Sequence, residues 1–174
     1  IHIAVAAAGI GLGDEVITSP ITDIGTVIGV LYQQAVPVFA DLGEGTYNLN
    51  VDDVKRRSTS KTKAIIAVHL AGNPCDMDAL RALADRHKLI LIEDCAQAHG
   101  ARYKRRQAGS MGKLGAFSFY HSKNLGCYGD GGAVVTGDPD LAQKLRILRN
   151  CGQRQRYYHE TKGLNSRLDE IQAA

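Results

Sequence analysis

Residues 64–94 read AIIAVHLAGNPCDMDALRALADRHKLILIED, and their order decides the fold. Ala64 to Val68 is a wholly apolar run, too short for a helix and without polar alternation, as expected of a strand buried on both faces. Asp76 to His87 then places Met77, Leu80 and Leu83-Ala84 at helical spacing, with Asp76 or Asp78 at the entry. Leu89 to Glu93 returns to an aliphatic strand. A strand, an amphipathic helix and a second fully apolar strand form the repeating unit of a parallel sheet.

The same alternation continues outward in both directions. Ile1 to Ala8 is an alanine-rich helical stretch that ends at the Gly9-Ile10-Gly11-Leu12-Gly13 turn, and Asp14 to Thr18 reads as a strand. Gly25 to Gln34 reads as helix, Val36 to Ala40 as a strand closing on Asp41, and Asp52 to Arg57 as helix. Downstream, Ala116 to Phe119 and Gly132 to Thr136 are strands, followed by a basic helix over Pro139 to Asn150 and a helical pattern over Leu168 to Ala174. The expected class is α/β, with a mostly parallel central sheet and helices on both faces. There are no internal repeats and no low-complexity linker.

Composition removes several functions. The 174 residues are 44% hydrophobic and 22% charged, ordinary for a globular domain with a real core. A net charge of +3 lacks the concentrated basic face of a nucleic-acid binder. No apolar run approaches the roughly 20 residues that span a bilayer, and the apolar residues 1–10 lack the charged leader of a signal peptide. Cys75, Cys95, Cys127 and Cys151 are scattered, without a Cys-x-x-Cys pair. That spacing suits reduced packing thiols in a cytoplasmic protein. The chain opens inside one helical pattern and stops inside another without caps, so it reads as an internal piece of a longer protein.

In parallel sheets, ligands bind beyond the carboxyl ends of the strands. Asp41, His69, Asp94 and the segment Phe117-Ser118-Phe119-Tyr120-His121-Ser122-Lys123-Asn124-Leu125-Gly126 all follow strands, which allows them to converge on one rim. A lysine after one strand and a carboxylate ending another are the two groups that pyridoxal phosphate asks of a protein. The amine forms the Schiff base and the carboxylate keeps the pyridine nitrogen protonated. Each residue also has a plain alternative: a surface lysine for Lys123, and a helix cap for Asp94. Side chains alternate along a strand, so Glu93 and Asp94 must face opposite ways. Magnesium binding by Asp94 lacks a second clustered carboxylate. The run Gly126 to Gly132 has no Gly-Lys-Ser/Thr ending and precedes a strand, so it reads as a turn rather than a phosphate loop. Gly9 to Gly13 likewise precedes a strand, which removes a dinucleotide fingerprint. His69, His99 and His121 rank below Lys123 as acid–base groups. Lys144, Arg146, Arg149, Arg154 and Arg156 read as a solvated helix face and its exit, or as contacts to an anionic substrate.

Taken together, the segments resemble the DegT/DnrJ/StrS family of sugar aminotransferases, pyridoxal-phosphate enzymes of the aspartate-aminotransferase fold. The resemblance runs through Gly13 to Thr18, Pro37 to Asp41, Glu93-Asp94-Cys95-Ala96-Gln97-Ala98-His99-Gly100-Ala101, Phe117 to Gly126, Gly131 to Thr136, Leu148-Arg149-Asn150 and Asn165-Ser166-Arg167-Leu168. It implies that Lys123 is the Schiff-base lysine and that Asp94 pairs with the pyridine nitrogen. It further implies that Gln97 contacts the ring near its phenolate oxygen and that Ser118 holds the phosphate. Asn165 would reach the cofactor of a neighbouring subunit, implying a homodimer with shared active sites. The implied reaction transfers an amino group from glutamate or glutamine to a keto sugar, usually nucleotide-linked. A dehydratase or lyase of the same fold and a non-catalytic regulatory homologue are the alternatives, and dehydratase relatives carry histidine in place of the lysine. On this resemblance residues 1–174 are the cofactor-binding large domain, lacking its first strand, its amino-terminal phosphate-binding residues and the C-terminal small domain. Two positions depart from the family pattern. Asp23 stands near the place of the aromatic residue that stacks on the ring, with Ile21 or Ile24 as substitutes, and Cys151 replaces a histidine in Arg149-Asn150-Cys151-Gly152.

Overall fold

Strand β3 (Thr62–Val68) runs through the middle of the sheet and explains its own composition. In the computed structural model, which describes residues 1–174, Ala64, Ile66 and Val68 enter one core layer while Ile65 and Ala67 enter the other. Both faces are covered, so neither set of alternating positions can be polar. Flanking β3 are β1 (Glu15–Thr18) and β4 (Ile90–Asp94), with β2 (Val36–Phe39) outside β1, and β7 (Leu114–Ser118) then β8 (Gly132–Val135) outside β4. The order is β2-β1-β3-β4-β7-β8, parallel throughout except for β8, which pairs antiparallel with β7 at the edge.

Helices α1 (His2–Ala7), α2 (Ile24–Leu31) and α5 (Pro139–Arg149) cover one face, contributing Ala4, Val5, Val30, Leu145 and Leu148. On the other face α3 (Val51–Arg57) and α4 (Met77–His87) contribute Val54, Met77, Leu80, Leu83 and Ala84. Four helices start on a capping side chain, Asp23, Asn50, Asp76 and Asp138, each accepting N–H groups of the first turn. The class, the layers and each of the long elements match the sequence reading.

Two small hairpins were not foreseen: β5 (Arg102–Tyr103) with β6 (Arg106–Gln107), and β9 (Gln153–Gln155) with β10 (Tyr158–His159). Strands this short carry no periodicity. The first hairpin also turns on Lys104 and Arg105 at φ 53° and 97°, without the Asn-Gly or Asp-Gly signal of such turns. The chain ends in a short α6 (Glu170–Ala173). No helix is long and apolar enough to cross a membrane.

Candidate active site

The parallel strands end on one edge of the sheet, where a cleft of about 980 Å³ is lined by the starts of α1 and α2, the ends of β4 and β7, strand β8, helix α5 and the segment around Asn165. Asp94 is the last residue of β4, paired in register with Val68 and Ala116. It lines the cleft while only 6% exposed, so its carboxylate is held by protein donors. Thr26 Oγ1 donates to Oδ2 at 2.6 Å and the Ala96 N–H donates to Oδ1 at 3.0 Å. The cap-like bond to Ala96 and the cleft-facing role therefore coexist.

Lys123 lines the same cleft, half-buried and in no ion pair. Its loop folds back tightly: the Lys123 N–H bonds Tyr120 O at 2.8 Å, and a Cβ on Gly126 would stand 2.5 Å from His121 O. Only glycine permits that closure. Ser118, at the end of β7, also lines the cleft, and its Oγ accepts the Tyr120 N–H at 3.2 Å. Asn165 lines it too, beside Arg167, whose Nε donates to Asn165 Oδ1 at 3.2 Å.

Gln97 is the site residue that the structure does not bring in. It is exposed, lies outside the cleft lining, and its Oε1 accepts the Ala71 N–H at 2.7 Å. Asp41 and His69 also fail to join the cleft, although their strands end on the same edge. His121 is exposed against Tyr120, and His99 packs against Phe117 and Phe119. Asp23 lines the cleft and caps α2 through the Gly25 N–H at 2.8 Å, so this position serves the helix start rather than ring stacking. The residue that sequence reasoning missed is Thr26. Its signal was faint: two threonines four apart, Thr22 and Thr26, straddle a helix start just past a strand.

Behind Asp94, its neighbour Glu93 points to the opposite side, as strand alternation requires. It is fully buried, and its two oxygens accept four N–H groups: His69 Nε2 (3.0 Å) and Gly109 N (2.8 Å) on Oε2, Met111 N (2.6 Å) and Gly112 N (2.5 Å) on Oε1. Burial alone would raise this carboxyl, but the hydrogen bonds outweigh it and hold it below its ordinary range. His69 Nδ1 accepts the Cys75 N–H at 3.3 Å, so the imidazole proton sits on Nε2 and is donated to Glu93. Cys95 Sγ comes within 4.8 Å of the His69 and Glu93 ligand atoms, a spacing that resembles a metal site. Every Glu93 and His69 acceptor is already engaged, so the cluster is a closed hydrogen-bond network that pins the 109–112 loop under the sheet edge. Burial raises the Cys95 thiol and pushes Cys75 up to about 11, consistent with inert packing thiols.

An amine on a constrained loop, a held carboxylate and a hydroxyl at a strand end share one cleft. That donor set fits pyridoxal phosphate: an amine for its aldehyde, an acid for its ring nitrogen, a hydroxyl for its phosphate.

Residues 1–174 match the model of the DegT/DnrJ/EryC1/StrS aminotransferase family. The chain is 55% identical over its full length to the dTDP-3-amino-3,4,6-trideoxy-alpha-D-glucose transaminase of Streptomyces venezuelae, covering 46% of that protein. It is 49% identical, again over its full length, to a pleiotropic regulatory protein of Geobacillus stearothermophilus, covering 47% of it. The crystal structure of S. venezuelae DesV in complex with a ketimine intermediate superposes with a TM-score of 0.96 at 55% identity, over 99% of this chain and 46% of that one. The chain thus spans about half the length of the relatives it matches.

Proposed function

The chain belongs to the DegT/DnrJ/EryC1/StrS aminotransferase family, and on that premise we propose that it is the large, cofactor-binding domain of a pyridoxal-phosphate sugar aminotransferase. The observation that carries this reading is that Lys123 and Asp94 line one cleft. Bound there, pyridoxal phosphate supplies an electron sink for a carbanion at the amino-bearing carbon.

The chain's own residues then have separate tasks. Lys123 Nζ would hold the cofactor through its aldehyde and, once freed, would serve as the base that takes the proton from the donor α carbon. Asp94 would accept a hydrogen bond from the ring N–H and hold that charge in place, a preorganised interaction. The Ser118 hydroxyl would hold the phosphate. Glutamate or glutamine is the donor and a nucleotide-linked keto sugar the acceptor, so donor and acceptor exchange an amine for a carbonyl oxygen. The protein works in the cytoplasm as a homodimer with shared active sites, in which Asn165 would reach the cofactor of the neighbouring subunit. Similarity to transaminases such as the S. venezuelae enzyme supports the acceptor class.

The test is a half-reaction on the full-length, cofactor-loaded protein without sugar. One equivalent of 2-oxoglutarate, or its amide from glutamine, is expected per cofactor. Sugar turnover that needs no donor would replace this reading with dehydration. Bound cofactor with no oxo acid from either donor would favour a regulatory role, the reading that the G. stearothermophilus relative keeps open.

A further inference from the structure

A threonine inside a helix ordinarily returns its hydroxyl proton to a carbonyl three or four residues back. Thr26 does otherwise. It is 2% exposed, one turn into α2, and its Oγ1 donates 2.6 Å across to Asp94 Oδ2, a residue 68 positions away. Buried Thr18, by contrast, satisfies itself on the backbone carbonyl of Ile66 at 3.1 Å. A carboxylate oxygen only accepts, so the Thr26 proton is committed to Asp94. Thr22 Oγ1 lies 2.6 Å from Thr26 Oγ1 and must therefore be the donor of that second bond. The hydroxyls form a one-way chain, Thr22 to Thr26 to Asp94, in which each bond polarises the next. With the Ala96 N–H on Oδ1, both carboxylate oxygens are gripped from different elements.

We infer that Thr26, backed by Thr22, is a positioning residue for Asp94, fixing the carboxylate in the single orientation that offers its free lone pairs to the cleft. This rests on the cofactor reading above, because the group to be met by those lone pairs is the pyridine N–H. Thr26 touches Asp94, and its effect on the cofactor passes through that carboxylate.

The test uses full-length protein loaded with pyridoxal phosphate labelled with ¹⁵N in the ring. The ring-nitrogen resonance reports whether it carries a proton, a property that a purely structural threonine would leave alone. Thr26→Val, which keeps the shape and removes the donor, is expected to move the resonance toward the unprotonated position and to weaken cofactor binding about tenfold. Thr26→Ser keeps the hydroxyl and should restore both. Thr22→Val removes only the second donor and should shift the resonance the same way, with a loss of about threefold. An unchanged resonance and affinity in Thr26→Val overturns the inference while leaving the cofactor site standing. Failure of the unsubstituted protein to take up cofactor overturns both. If Thr26→Val does not fold, Thr22→Val decides alone, and an unshifted resonance there rejects the chain of donors.

Discussion

Replacing Glu93 by Gln keeps the side-chain shape and exchanges one of its acceptor oxygens for an amide nitrogen. Whichever way the amide turns, two N–H donors meet an NH2 group: His69 Nε2 and Gly109 N, or Met111 N and Gly112 N. A switch of the His69 proton to Nδ1 offers no rescue, because Nδ1 already accepts the Cys75 N–H. Hydrogen bonds to a charged acceptor contribute about 1.5–3 kcal/mol each. Losing two, less the desolvation recovered by discarding a buried charge, costs about 2–5 kcal/mol. Two readings follow, both on the full-length protein: the urea midpoint should fall, and the Gly109, Met111 and Gly112 amides should lose hydrogen-exchange protection. The pH dependence has a definite sign. The folded Glu93 carboxyl lies below its ordinary 4.5, so its stabilisation is complete above that value and is lost as the pH falls through the lower folded value. The Gln variant has no such acid-labile component. A loss of under about 1 kcal/mol with all three amides still protected would refute the network.

Asp94→Asn retains the size of the side chain but gives up its charge, and amino transfer measured by oxo-acid release should drop about a hundredfold; activity within threefold of the parent would contradict the role. Gly115 lies on β7 where a Cβ would sit 2.5 Å from Gly109 Cα and O. Gly115→Ala should therefore cost about 2–3 kcal/mol in chemical denaturation, and a neutral result would mean that the 109–112 loop is not pressed against the strand.

The parts of this molecule legible in its sequence are those written locally. The Ala64–Val68 run and the spacing of Met77, Leu80 and Leu83 announce a buried strand and an amphipathic helix within a few residues each. Alternation also told that Glu93 and Asp94 must part company, and Asp94 is the one that faces the cleft. What stayed hidden depends on distance or on unusual backbone. Thr26 earns its place through a partner 68 residues away, and no periodicity encodes that contact. The 102–107 hairpin turns on two positive-φ basic residues in place of glycine or asparagine. Strand-end position put Asp41 and His69 on the right edge, but the direction of a side chain is set by packing, and His69 turns inward to Glu93. Gln97 and Asn165 were suggested by resemblance alone. Asn165 lines the cleft of its own chain, whereas its implied contact lies on a neighbouring subunit's cofactor, and Gln97 is engaged with Ala71.

The most direct test is to load the full-length protein with pyridoxal phosphate, trap the lysine linkage with borohydride and map the label by peptide mass. A single pyridoxyl group on Lys123, absent in Lys123→Ala, is the predicted result. A label on any other lysine, or none at all, would contradict the account at its centre.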